Sequence, residues 1–483
     1  MIKLIKNGFD IRIDTDDYTY LNDVRNYFTD YVEGFAYMPK YLSGQWSGKI
    51  CLFKTFTREL PYGLLSDLLR FHKKYYPQLE LEIDKEITNM FKGKEINIKY
   101  DLNIQPRDYQ ISCIEAALKY STGIIKSSVG SGKSAIIAYI LKNLLDNNIC
   151  KKAVIIVPTI SLVTQFRQDL QDYGFEECML GQVYAKIKQF DREIVISTWQ
   201  TLKNNYDKLE LFDAVIIDEV HNLRALEIRT ILENCTSASY RLGFTGTLPS
   251  SKLDLWNIKA YLGHVLKEYT ANDLAERGYI SKCNVHALEI NYIREYEGEY
   301  NDVKDQIFTN PYRLNLIKEI SQKVDSSVLI LVGKVEKEGE LLKTYLENRL
   351  KNKEVVFIYG NTSPEDREYW RLECDKRNDI VLIATYPLLY QGVNIPSLKH
   401  IILAAPFKSK IRILQSIGRC LRKHTSKING AYVYDIVDNC LFLKAHSEKR
   451  LRFYEQENFN VIEKSYDEID LDTNNIEELF TAV

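Results

Sequence analysis

Eight consecutive residues restrict this chain more than any others: Ser127-Ser128-Val129-Gly130-Ser131-Gly132-Lys133-Ser134, preceded by the apolar Gly123-Ile124-Ile125 and followed by the apolar run Ala135 to Leu145. A buried strand that breaks into a glycine-rich turn and then a helix directs backbone N–H groups and the positive helix end at one point, which suits phosphate. Lys133 would reach the β- and γ-phosphates of a nucleotide, and Ser134 would put its hydroxyl on Mg²⁺. The first position of the G-x-x-x-x-G-K-[ST] pattern holds Ser127 instead of glycine, and a glycine-rich turn that binds nothing is the alternative for this stretch alone.

A chain of 483 residues exceeds one hydrophobic core, so three or so domains are expected. No run of eighteen apolar residues appears, which argues against a membrane span. Met1 to Asp10 lacks the apolar core and cleavage site of a signal peptide, so a cytoplasmic protein is expected. The nine cysteines show no C-x-x-C pair and no zinc-ligand spacing, which argues against a disulfide framework or a structural metal. The net charge of −2 does not by itself suggest nucleic acid, but its distribution is uneven. Residues 36–75 hold seven lysines and arginines against two acids, and residues 465–483 hold six acids and no base.

Residues 1–100 read as a separate small module. Ile11 to Asp14 alternates like a strand, Asp16 to Phe28 is compatible with a helix, and Gly34 to Phe56 reads as a twisted antiparallel sheet. Pro61-Tyr62-Gly63 marks a turn before an amphipathic helix from Leu64 to Tyr76. Aromatics interleaved with Lys and Arg, Trp46 and Lys49 among them, can contact a phosphate backbone and stack on bases; a half-exposed sheet with solvated lysines is the alternative. The charged stretch from Lys92 to Asp101 reads as a linker. Pro106-Arg107-Asp108-Tyr109-Gln110 then opens a helix, where a glutamine can pair both edges of adenine and an arginine can pack on the ring.

Beyond the phosphate turn, apolar strands alternate with helical patterns: Ala153 to Val157, Ile194 to Ser197, Ala214 to Ile217 and Tyr240 to Phe244. Such alternation predicts a parallel, doubly wound sheet with its ligand site at the carboxyl ends of the strands. Directly after one of these strands stand Asp218 and Glu219, suited to holding Mg²⁺ and to orienting an attacking water. The second half repeats the plan with strands at Val328 to Val332, Val355 to Tyr359, Ile380 to Ala384 and His400 to Ala404. Near its end lies Gln415-Ser416-Ile417-Gly418-Arg419-Cys420-Leu421-Arg422. On a helix Arg419 and Arg422 share a face, so both guanidinium forks can reach one phosphate.

Taken together these motifs resemble those of superfamily 2 helicases and translocases of the DExH branch. Ser127 to Ser134 is similar to motif I, where the family tolerates a small residue in place of the first glycine. Arg107 to Gln110 resembles the adenine-reading Q motif, Val157-Pro158-Thr159 through Gln165 motif Ia, and Asp218-Glu219-Val220-His221 motif II. Thr245-Gly246-Thr247 resembles motif III, Ala384-Thr385 with Gln391 to Pro396 motif V, and Gln415 to Arg422 motif VI. Within the superfamily the likeness narrows to phage recombination helicases, on Gly34 to Pro39, Gly44 to Ile50 and Leu60 to Leu64 in the first module.

The resemblance implies an α/β chain of two tandem RecA-like parallel-sheet domains preceded by a small α+β DNA-binding domain. Its expected divisions are 1–100 for double-stranded DNA binding, 101–285 and 286–464 for the RecA-like domains, and 465–483 for an acidic tail. It implies ATP and Mg²⁺ as cofactors, with Lys133, Asp218, Glu219, Gln415, Arg419 and Arg422 as catalytic residues. Arg107, Gln110, Ser128, Gly130, Ser131, Gly132, Lys133, Ser134 and Gly392 would bind the nucleotide, with Ser134 and Asp218 on Mg²⁺. Thr159, Gln165, Thr198, Gln200, Lys334 and Thr385 would grip nucleic acid, together with Trp46 and Lys49. The implied activity is ATP-dependent remodelling of branched DNA by a monomer, in the host cytoplasm if phage-encoded, alongside recombination or replication proteins. The rivals are a double-stranded DNA translocase that separates no strands and a scaffold whose ATP site only gates binding. An RNA substrate stays open, because phosphate contacts do not distinguish the sugars.

Overall fold

The computed structural model describes residues 1–467 except 129, 224, 294–295, 391–394, 406–412, 415 and 419–420. Gly392, Gln415, Arg419 and most of the expected acidic tail therefore lie outside the described residues. The chain divides into two compact units, one of residues 1–127 and 132–268, the other of 128–131 and 269 onward.

The first unit begins with a four-stranded sheet in the order Glu59–Pro61, Asp10–Asp14, Ile2–Asn7, Leu81–Ile83. Period-two alternation decides which face is inward: Ile2, Leu4, Ile11 and Ile13 are buried while Lys3, Arg12 and Asp14 point away. Helix Tyr18–Tyr27 starts at Asp17, whose carboxylate accepts from the Tyr20 N–H at 2.9 Å.

The stretch Gly34 to Phe56 is not the expected antiparallel sheet. It forms a 3₁₀ turn at Phe35–Tyr37 and a short helix at Pro39–Leu42; Lys49–Cys51 pairs antiparallel with Thr29–Tyr31, and Lys54 makes an isolated antiparallel bridge to Glu59. Pro39 at the first helical position and Gly34, Gly44 and Gly48 at φ of +74°, +71° and +79° favour turns over a ladder.

The first module is not separate in its packing. Its core takes in Trp256 and Ala260 of helix Lys252–Leu262. Tyr62 donates its hydroxyl to the Tyr261 carbonyl, and Asp67 pairs with Lys259 at 3.3 Å, both side chains buried.

The second sheet of this unit has eight strands, in the order Ile187–Lys188, Leu180–Tyr184, Ile194–Thr198, Ala153–Val157, Ala214–Ile217, Tyr240–Thr245, Thr122–Ser127, Val265–Tyr269. From Leu180–Tyr184 to Thr122–Ser127 neighbouring strands run parallel. Central strands such as Ala153–Val157 are buried throughout, which is why they read as unbroken apolar runs. Their common register brings Val157, Thr198, Ile217, Thr245 and Ser127 to one edge.

The second unit carries a seven-stranded parallel sheet: Glu354–Ile358, Ile380–Thr385, Val328–Val332, His400–Leu403, Ala431–Asp438, Cys283–Asn291, Asn460–Asp467. The helix expected after Val328–Val332 opens as a π-turn at Val335–Glu340 before turning α-helical at Leu341–Glu347. Glu338 is the reason. It faces inward, accepts from Gly333 N–H at 2.6 Å, and pairs with Lys304 at 2.6 Å, where an α-turn would carry it elsewhere. Two further ion pairs are buried, Arg313 with Asp438 at 2.9 Å and Arg450 with Asp435 at 2.8 Å. No helix among the described residues is long and apolar enough to cross a membrane.

Candidate nucleotide site and nucleic-acid faces

The phosphate turn leaves strand Thr122–Ser127 and enters helix Lys133–Asp146 through two left-handed glycines, Gly130 at φ +84° and Gly132 at +76°. Gly132 at the N-cap has no side chain to bond the first N–H groups of this helix, which suits an anion there. A Cβ on Gly132 would stand 2.8 Å from Gln110 Nε2, so glycine there also lets the two segments approach. Gln110 donates that amide to the Gly132 carbonyl at 3.4 Å and accepts from the Arg107 N–H at 2.9 Å, joining the start of helix Asp108–Tyr120 to the turn. Arg107 donates to the Tyr109 hydroxyl at 3.3 Å.

Lys133 reaches across to strand end Ala214–Ile217. Its Nζ lies 3.2 Å from Glu219 Oε1 and donates to the Ser127 carbonyl at 3.4 Å. Glu219 sits at φ +49°, a region a side-chain-bearing residue seldom occupies, and its Oε2 accepts from Gly246 N–H at 3.3 Å and lies 3.4 Å from His221 Nδ1. His221 Nδ1 in turn is 2.6 Å from Thr245 Oγ1, and Thr245 donates to the Thr247 carbonyl at 2.7 Å. Two adjacent strand ends are thus linked through the carboxylate that faces Lys133.

Electrostatics divide the acidic pair. Burial and the Glu219 charge push the Asp218 carboxyl well above its ordinary range, against the pull of Lys133. Burial acts on Glu219 too, but Lys133, His221 and the Gly246 N–H outweigh it and hold that carboxyl below the ordinary range. Burial and the Lys133 charge hold the His221 imidazole below its ordinary range, against the pull of Glu219. Asp218 Oδ1 and the hydroxyls of Ser127, Ser128 and Thr247 are buried with no hydrogen-bond partner among the described residues. Unpaired buried polar atoms are costly, and an open Asp218 oxygen next to Glu219, the partner of Lys133, fits an anion with a divalent cation.

Ser134 places its hydroxyl 3.0 Å from the Tyr173 hydroxyl. Tyr173 had no sequence mark, since it comes from the end of another helix. His221 and Thr245 stood inside recognised motifs, yet their contact with each other was not readable. Arg422 lies in the second unit, half-buried, with its carbonyl accepting from Ser281 Oγ at 3.4 Å and Lys427 Nζ at 3.0 Å.

The expected nucleic-acid residues separate into exposed and enclosed groups. Gln165 and Gln200 are exposed, and Thr159 caps helix Ile160–Asp172 at the same sheet edge. Thr198 and Thr385 are 4% and 5% exposed, so their side chains offer little surface. Lys334 stands at the end of Val328–Val332, 2.5 Å from Asp305, which also takes Lys337 at 2.6 Å. In the first module Trp46 donates its indole N–H to the Lys49 carbonyl at 3.0 Å, and Lys49 Nζ lies 4.6 Å from the Tyr31 ring, itself stacked on Phe35. Tyr37 and Phe56 of the same module are 87% and 100% exposed.

Three family profiles match along the chain: "DNA helicase UvsW, N-terminal" over residues 2–84, "Type III restriction enzyme, res subunit" over 103–250, and "Helicase conserved C-terminal domain" over 312–424. The ATP-dependent DNA helicase uvsW of Enterobacteria phage T4 is 26% identical, over 94% of this chain and 97% of its own length. The DNA 3'-5' translocase XPB2 of Sulfurisphaera tokodaii is 25% identical, over 75% of this chain and 88% of its own. Among solved structures, S. cerevisiae Dbp5 bound to RNA and ADP BeF3 covers 78% of this chain and 93% of its own at a TM-score of 0.51 and 15% identity, a likeness of fold.

Proposed function

We propose that the chain, which matches helicase and restriction-subunit profiles over residues 2–84, 103–250 and 312–424, is a superfamily 2 ATP-dependent DNA motor that remodels branched DNA. The observation that carries the ATP half is the Lys133–Glu219 pair at 3.2 Å, next in the chain to Asp218, whose buried Oδ1 has no hydrogen-bond partner among the described residues. The profile matched by residues 2–84 and the basic, aromatic face around Lys49 support the DNA half. The divisions 1–100, 101–285, 286–464 and 465–483 belong to the same reading.

Gln110 and Arg107 would hold the base, and Ser128, Gly130, Ser131, Gly132 and Lys133 the phosphates. Lys133, freed from Glu219 by the incoming phosphate charge, would bind the terminal phosphates and leave that carboxylate to accept a proton from the attacking water. His221 and the Gly246 N–H would keep Glu219 aimed. Mg²⁺, held by Ser134 and Asp218, would supply charge neutralisation at the phosphates. Gln415, Arg419 and Arg422 are assigned to the transition state and Gly392 to the nucleotide by resemblance alone.

Hydrolysis measured with single-stranded DNA, duplex, a four-way junction and matched RNA tests the reading. The junction should stimulate most. Equal stimulation by plain duplex would favour translocation without strand separation; the Sulfurisphaera relative is named a DNA 3'-5' translocase.

Asp305 offers a separate check on the grip. It binds Lys334 and Lys337, and those two contacts hold its carboxyl below the ordinary range despite partial burial. Asp305→Asn should release both lysines to phosphate. Tighter DNA binding at low salt and a salt slope steeper by about 1 to 2 are expected in a titration of affinity against salt concentration; an unchanged slope would show that neither lysine meets DNA.

A further inference from the structure

Tyr173 follows helix Ile160–Asp172, and its half-buried side chain brings a phenol hydroxyl to 3.0 Å from Ser134 Oγ. Its backbone is fixed from outside the helix. Asn103 N–H donates to the Tyr173 carbonyl at 3.0 Å. Gly174, at φ +106°, lies so close to Asn103 that a Cβ there would stand 3.1 Å from the Asn103 side chain. The neighbouring Ile104 carbonyl accepts from Tyr139, on the helix that Lys133 and Ser134 begin. The phenol is therefore set against the phosphate-turn helix by the segment that leads to Arg107 and Gln110.

We propose that Tyr173 is a positioning residue of the nucleotide site, accepting the Ser134 proton so that the serine lone pairs face a divalent cation. The inference rests on the ATP reading above. A serine hydroxyl has one proton and two lone pairs, and it turns among three staggered rotamers. A hydroxyl that coordinates a cation becomes a better proton donor, and the phenol oxygen is an acceptor within 3.0 Å. One hydrogen bond thus fixes both the rotamer and the direction of the proton.

Equilibrium binding of a fluorescent ATP analogue to the full chain, titrated with Mg²⁺, tests this. Tyr173→Phe keeps the ring and removes the acceptor, so the Mg²⁺ midpoint should rise about threefold to tenfold, and excess Mg²⁺ should restore nucleotide binding. Ser134→Ala should raise the midpoint by itself, and adding Tyr173→Phe to it should change nothing more. Mn²⁺ bound per chain, read by electron paramagnetic resonance, should follow the same order. An unshifted midpoint in Tyr173→Phe, or effects that multiply in the double variant, would overturn the proposal. If the wild type bound the analogue at no Mg²⁺ concentration, the ATP reading would fail first and take this inference with it.

Discussion

Glu219→Gln is expected to lower kcat for ATP hydrolysis by about 10²- to 10⁴-fold while nucleotide binding persists. An amide is isosteric with the carboxylate but cannot take a proton at neutral pH. Glu219 is also the counter-charge of Lys133, at 3.2 Å with both side chains mostly enclosed. Removing that charge leaves Lys133 without competition for phosphate, so the dissociation constant for ATP should stay level or fall. Phosphate release and binding of a fluorescent nucleotide, measured on the same preparation, separate the two effects. A fall in kcat below tenfold would mean that Glu219 is not the base.

Gly63→Ala should destabilise the first unit by about 3 kcal/mol or more. A Cβ at this position would stand 1.8 Å from the Lys259 carbonyl oxygen and 2.8 Å from Ala260 O and Gly263 N, all backbone. Those atoms close helix Lys252–Leu262, and relieving the clash would draw Trp256 and Ala260 out of the first module's core. Gly360→Ala makes the control, since nothing lies within 4 Å of a Cβ there, and its effect should stay within about 0.5 kcal/mol. Denaturant midpoints decide the matter. An unchanged midpoint in Gly63→Ala would mean that the module and the following domain are not packed as described.

What could be read from the sequence followed from what lies consecutively along the chain. Ala153–Val157, Ala214–Ile217 and Val328–Val332 were legible because strands buried on both faces show as short apolar runs. Val265–Tyr269 and Asn460–Asp467 were not, because these outermost strands carry charges at exposed positions, and the latter extends into the segment expected to be a tail. Ala431–Asp438 is buried throughout but contains Asp435 and Asp438, and only the folded chain shows that Arg450 and Arg313 neutralise them. The phosphate turn and the acidic pair were legible for a similar reason, each being one short segment. Tyr173 beside Ser134, Thr245 beside His221 and Asp305 between two lysines join distant segments, so nothing local marks them.

The central claim is that ATP hydrolysis at Lys133 and Glu219 drives rearrangement of branched DNA. Gel analysis of a labelled four-way junction incubated with the full chain, ATP and Mg²⁺ tests it most directly, with Glu219→Gln alongside. The account predicts that the wild type converts the junction to duplex products only when ATP is present and that Glu219→Gln yields none. A junction left intact while the wild type hydrolyses ATP would contradict it.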